Sequence, residues 1–115
     1  MDINGAKRAS FYALRMGTRA LNGCKTAYQT TTNNGNLLAI TTKDAAGHID
    51  LLVTNSTANT SYTVDADLSA LITSGTGTMW RFDSAHLDVT ADNPVLANGH
   101  VTLTIPGTAA VLIEY

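Results

Sequence analysis

Charged residues account for only 14% of this 115-residue chain, which also has one cysteine and two prolines. A globular protein usually devotes about a quarter of its residues to charge. The lone Cys24 has no partner for an internal disulfide and no second cysteine with which to hold zinc, so a disulfide scaffold and a zinc ribbon are excluded. No apolar run approaches the roughly 18 residues that cross a bilayer, and the stretch after Met1 is polar, so neither a membrane helix nor a signal peptide is expected. Seven Lys and Arg against nine Asp and Glu leave no basic surface for nucleic acid. What fills the space is threonine, 18 of them, beside a hydrophobic fraction of 44%. A β-branched, hydroxylated, weakly charged composition favours strands with solvated faces and one ordinary core in one domain.

The few charges are unevenly spread. Lys7, Arg8, Arg15, Arg19 and Lys25 face a single acid, Asp2, in the first 25 residues, whereas Lys43 and Arg81 face eight acids in the rest. The hydrophobic period changes at the same place. Over residues 6–21, Ala9, Tyr12, Ala13, Met16 and Ala20 form one helical stripe, Phe11, Leu14 and Leu21 an adjoining one, with Arg8, Arg15 and Arg19 opposite. Asn22-Gly23 supplies the left-handed stop. So wide an apolar surface asks for partners on more than one side: its own domain, a neighbouring domain, or a second copy in a homodimer. Residues 1–23 are therefore expected to be a docking helix and residues 24–115 a β-domain.

After Gly23 the period becomes two. Residues 25–32, 37–42, 48–55, 61–67 and 78–83 read as strands, with Asn33-Asn34-Gly35 and Ala46-Gly47 as turns and a short helical turn within 67–72. Ile49, Leu51 and Val53 share one face of their strand and Asp50 and Thr54 the other. Near the end, Val101, Leu103 and Ile105 alternate with His100, Thr102 and Thr104, turn at Pro106-Gly107 and return through residues 109–114 as a second strand pair. The pattern predicts an all-β antiparallel sandwich of seven or eight strands.

Chemistry-bearing groups are sparse. Asp65 and Asp67 fall on one strand face, the spacing of two solvated carboxylates; a glycoside-cleaving pair would face each other across a sugar. Asp83, Asp88 and Asp92 have loop-like spacing without the compact, glycine-fixed loop of a calcium site. His48, His86 and His100 stand apart from one another and read as solvent-facing, with no zinc-like spacing, and Cys24 reads as a packing residue. Gly75-Thr76-Gly77 lacks the lysine and the following helix of a phosphate loop. Asn55-Ser56-Thr57 and Asn59-Thr60-Ser61 are formal glycosylation sequons in a turn-rich stretch. No catalytic residue, cofactor or metal is implied. Candidate carbohydrate contacts are Trp80 with its neighbour Arg81, and Tyr28 on the mostly polar face of Thr26 and Thr30. The preferred reading of Trp80 and Phe82 puts both in the core and leaves Arg81 outside; the competing reading makes them a sugar platform.

These residues also carry a resemblance. Phe11-Tyr12-Ala13-Leu14 with Arg19-Ala20-Leu21-Asn22-Gly23, then Gly47-His48-Ile49-Asp50-Leu51-Leu52-Val53-Thr54-Asn55, Met79-Trp80-Arg81-Phe82-Asp83 and Val101-Thr102-Leu103-Thr104-Ile105-Pro106-Gly107 follow one another in this order. The chain resembles the C-terminal β-sandwich of clan A glycoside hydrolases of the family 39, family 30 and arabinofuranosidase type. The resemblance implies a non-catalytic accessory domain that supports a catalytic barrel in polysaccharide degradation, in a secreted, bacterial setting. The segment like residues 7–21 is then the last barrel helix. No position matches the family's catalytic carboxylates. Two other functions are kept in view: an independent carbohydrate-binding module for plant or microbial polysaccharide, and an adhesin-like structural domain. Neither nucleic acid nor membrane is an expected partner.

Overall fold

Threonine, valine, isoleucine and leucine recurring at every second position leave few local hydrogen-bonding options but the ladder between strands, and the chain takes them. The computed structural model describes residues 25–28, 30–83 and 87–115. These form eight strands: β1 Lys25–Tyr28, β2 Leu37–Asp44, β3 Ile49–Asn55, β4 Tyr62–Asp67, β5 Thr78–Phe82, β6 Leu87–Asp92, β7 His100–Ile105 and β8 Ala109–Glu114. Six make one sheet in the order β1-β2-β3-β8-β5-β6, and β4 and β7 make a second. Every pairing is antiparallel. The all-β antiparallel sandwich expected from the periodicity is the fold observed. The proposed helix of residues 6–21, Cys24 and His86 lie outside the described residues.

The core sits between the layers. Leu51 and Val53 of β3, Met79 of β5 and Val111 and Ile113 of β8 meet Val101, Leu103 and Ile105 of β7, closed at one end by Leu68 and Leu96. Short turns hold the strands in register. At the β2–β3 hairpin, Asp44 Oδ1 accepts from the amides of Ala46 and His48, both at 2.9 Å, and Gly47 supplies the positive φ of 93° that the reversal demands. At the opposite end Asn55, 2% exposed, donates through Nδ2 to the carbonyls of Thr60 at 2.8 Å, Pro106 at 3.0 Å and Ile105 at 3.3 Å, while its Oδ1 accepts from the Thr57 amide at 3.0 Å. One amide thus ties the β3–β4 crossover to the β7–β8 crossover.

Three expectations are corrected. Pro106-Gly107 does not close a hairpin: β7 pairs with β4, and β8 inserts between β3 and β5 of the other layer. The turn carries the chain from one sheet to the other, with Thr108 at a φ of 51°. Asp88 and Asp92, read as loop residues, belong to β6, an edge strand whose alternation is too weakly apolar to stand out. On β5 the faces are exchanged. Met79 enters the core between the sheets and Arg81 shares its side, whereas Trp80 and Phe82 point away from the sandwich, against Leu52, Ala110 and Leu112. The β8 register decides this, because Met79 pairs with the core residue Ile113 and Trp80 with Leu112.

Candidate functional site

Two strands do not cover six. The second sheet sits over the middle of the first, and the inner face of β1 and β2 is left open beside β4. The result is an open cleft of about 920 Å³, floored by Ala39, Leu51 and Val53 and walled by Tyr28, Thr30, Thr41, Asn34 and the β4 residues from Tyr62 to Asp67. Tyr28, opposite Thr41 in the β1–β2 register, is 39% exposed. Thr30 Oγ1 lies 3.0 Å from Thr41 Oγ1, so the hydroxyls beside the Tyr28 ring are ordered. Across the mouth, Tyr62 Oη accepts from Asn36 Nδ2 at 3.1 Å, and that bond is the main reason its hydroxyl titrates below the ordinary 10.0. The lining thus combines hydroxyls, amides, two phenol rings and the carboxylates of Asp65 and Asp67 around a partly apolar floor.

The carboxylates are arranged differently. Asp65 and Asp67 project from the solvent side of β4, with side chains 63% and 58% exposed. Both engage one imidazole: His100 Nδ1 is 3.2 Å from Asp65 Oδ1 and His100 Nε2 is 3.5 Å from Asp67 Oδ1. Asp67 Oδ1 also accepts from Ser69 Oγ at 2.6 Å and from the Ser69 amide at 2.9 Å, and the Ser69 hydroxyl is the leading cause of its lowered pKa. Two carboxylates side by side, gripping the same ring, do not face each other across a sugar ring. Among the described residues no group of three His, Cys, Asp or Glu side chains is placed to hold a metal ion.

The three candidate carbohydrate contacts do not converge. Tyr28 lines the cleft, Trp80 lies half-buried on the outer face of the large sheet, and Arg81 lines a separate depression of about 430 Å³ with Met79, Asn93, Pro94 and Thr102 to Thr104. Arg81 Nε is buried there without a hydrogen-bond partner among the described residues. Successive strand residues point to opposite faces, so Trp80 and Arg81 cannot share a platform. Tyr62, which the sequence marks only as a member of the alternating strand 61–67, is the second aromatic of the cleft. The two sequons also part company: Asn55 is buried and bonded, whereas Asn59 is exposed at a φ of 61°.

No protein-family model matches the chain, and no curated protein matches it. Solved structures do. A family 30 subfamily 8 xylanase from Clostridium acetobutylicum superposes over 96% of this chain with a TM-score of 0.86 at 10% identity, and the catalytic domain of family 30 xylanase C from Talaromyces cellulolyticus over 91% with 0.76 at 23%. A family 44 xyloglucanase from Paenibacillus polymyxa matches 98% of it with 0.76 at 18%. The fold is the β-sandwich of these glycoside hydrolases. The sandwich spans 28%, 23% and 24% of those three chains, so most of each enzyme has no counterpart here.

Proposed function

We propose that this sandwich is a non-catalytic accessory domain of a carbohydrate-active enzyme, attached to a catalytic barrel that it supports in polysaccharide degradation. The observation that carries the reading is the coverage: nearly the whole chain is matched, and it accounts for about a quarter of each glycoside hydrolase. The carboxylates agree with it, since Asp65 and Asp67 are clamped to His100 rather than opposed. Residues 1–23 are then the connection to the barrel, and the extracellular setting follows the parent enzyme. The test is hydrolysis. The purified chain should leave xylan, xyloglucan and aryl glycosides intact, and supplying it in trans or in fusion should raise the melting temperature of a related barrel lacking its own sandwich. Turnover that survives repurification and is lost with Asp65→Asn or Asp67→Asn would overturn the reading.

Tyr28 supports a second reading, direct binding of polysaccharide in the cleft between β1, β2 and β4. Affinity electrophoresis through gels containing soluble xylan or xyloglucan separates the two readings. Retardation removed by Tyr28→Ala favours binding in the cleft; retardation removed by Trp80→Ala or Arg81→Ala places the contact elsewhere; unretarded migration leaves the supporting role alone.

A further inference from the structure

The small sheet leaves an opening beside each of its edges, and the two differ in charge. Beside β4 the cleft is walled by Asp65 and Asp67. Beside β7 the depression of about 430 Å³ holds a cation, Arg81, and none of the described residues that line it is acidic. Its floor is apolar, with Met79 5% and Leu103 6% exposed. Arg81 Nε is buried and unpartnered among the described residues, and none of the ion pairs between described residues includes its guanidinium. A guanidinium carries five N–H donors and no acceptor, and it keeps its charge when withdrawn from water. A cation with a buried donor left over calls for an acceptor from outside the chain.

The backbone of β7 brings more donors. Its ladder partner, β4, lies on one side. His100 bonds through both its N–H and its C=O to Ala97, each at 2.9 Å, on the side away from β4. In an antiparallel ladder the two backbone groups of a residue point the same way, and that direction recurs at every second residue. The N–H and C=O of Thr102 and Thr104 are therefore turned away from β4 too, where no backbone bond from another described residue meets them. Both threonines line the depression with Arg81, and the exposed Asn93 adds a side-chain amide at the rim.

We infer that this depression binds a carboxylate, gripped side-on by the Arg81 guanidinium through Nε–H and a terminal N–H, with the free edge of β7 supplying a further amide donor. The two coplanar oxygens of a carboxylate match the fork of donors that a guanidinium presents. The apolar floor takes the carbon body of the ligand, and the volume is that of a small-molecule site. The inference rests neither on the accessory-domain reading nor on polysaccharide binding in the cleft.

NMR titration of the isotope-labelled full chain tests it, read at the Arg81 Nε–H and at the amides of Thr102, Leu103 and Thr104. The probes are acetate, galacturonate and neutral galactose at constant ionic strength. Both acids should move these signals saturably, and galactose should not. Saturation at a lower concentration of galacturonate assigns the ligand to acidic sugars, and equal saturation assigns it to small free acids; either supports a carboxylate site. Arg81→Gln should weaken binding about tenfold or more, and Arg81→Lys, which keeps the charge without the fork, about threefold or more. Arg81→Lys carries the test if the amide spectrum of Arg81→Gln shows a disturbed fold. Lys43→Gln, a control for general charge attraction, should change it less than about twofold. Absent or unsaturable shifts, the same shifts with galactose, or an equal loss with Lys43→Gln would overturn the inference. So would an Arg81 Nε–H that is protected from exchange in the ligand-free chain and released by Asp92→Asn, opposite Met79 in the β5–β6 register, because the chain would then supply its own carboxylate.

Discussion

β3 and β4 are consecutive strands of similar length with opposite burial. All of β3 is buried except the intermediate Thr54, whereas β4 alternates between half-buried and exposed along its whole course. Both obey the same two-residue period, so the difference lies in what covers them. β3 lies inside the large sheet, with Leu51 and Val53 on the inner core and Leu52 on the outer apolar row; β4 is one of only two strands in its layer and turns Thr63, Asp65 and Asp67 to solvent. β3 carries Asp50 and Thr54 at alternate positions as β4 carries its acids, so its two-sided burial comes from its central place in the sheet and not from a continuous apolar run.

The strongest challenge to this contrast is a pair of truncations in β8, the neighbour of β3. Leu112→Ala on the outer face and Ile113→Ala on the inner face should each lower stability by about 2–5 kcal/mol. Urea unfolding followed by circular dichroism reads both. A Leu112→Ala cost under about 1 kcal/mol, in the range of exposed substitutions, would mean that the outer face is solvated and that β3 differs from β4 only in composition. Asn55→Ala comes next. It strips the shared amide from the crossovers that flank β3 and β4, leaves carbonyls of Thr60, Ile105 and Pro106 short of a donor, and should cost about 3 kcal/mol. On β4 the effects shrink: Val64→Ala, half-buried, should cost about 1 kcal/mol and Thr63→Val, exposed, should stay within about 0.5 kcal/mol by the same measurement.

The smallest effect is electrostatic. Asp44 is held below its ordinary 3.8 first by the His48 amide, and Asp67 first by the Ser69 hydroxyl. A carboxylate whose folded pKa is depressed contributes stability that is present above its unfolded pKa and is lost as pH falls through the folded value. The melting temperature should therefore decline as pH drops below about 4, and Asp44→Asn with Asp67→Asn should flatten that decline. An unchanged slope would show that neither carboxylate is better held in the folded state.

Much of the fold was legible because it rests on period two. The division of β3 into Ile49, Leu51 and Val53 against Asp50 and Thr54 needed only alternation. Leu52 was harder to assign, because alternation puts it on the face of Asp50 and Thr54, and its apolar neighbours Leu112, Trp80 and Ala110 come from β8 and β5. Alternation also separates Trp80 from Arg81 without saying which faces the core. Their orientation is fixed by β8, where Leu112 and Val111, 32 and 30 positions further along, are their partners, and the larger aromatics drew the sequence reading to the wrong side. The partnership of β4 with β7 was hidden for the same reason, since adjacent strands with a Pro-Gly turn between them read as a hairpin. Of the cleft, Tyr28 was legible as an aromatic on a polar strand face; Tyr62 was not, because the opening comes from the unequal width of two sheets and from no local motif.

The placement of β8 bears on how the molecule is made. β3 and β5 are not paired with each other; each pairs with β8. Without β8, the β1–β2–β3 meander and the β5–β6 hairpin each keep a bare edge ready to pair with another molecule. The sheet closes only when β8 enters between them, a contact between distant parts of the chain that forms slowly. A stop codon before Ala109 would remove six strand residues and, with them, the single piece that joins the two halves of the sheet.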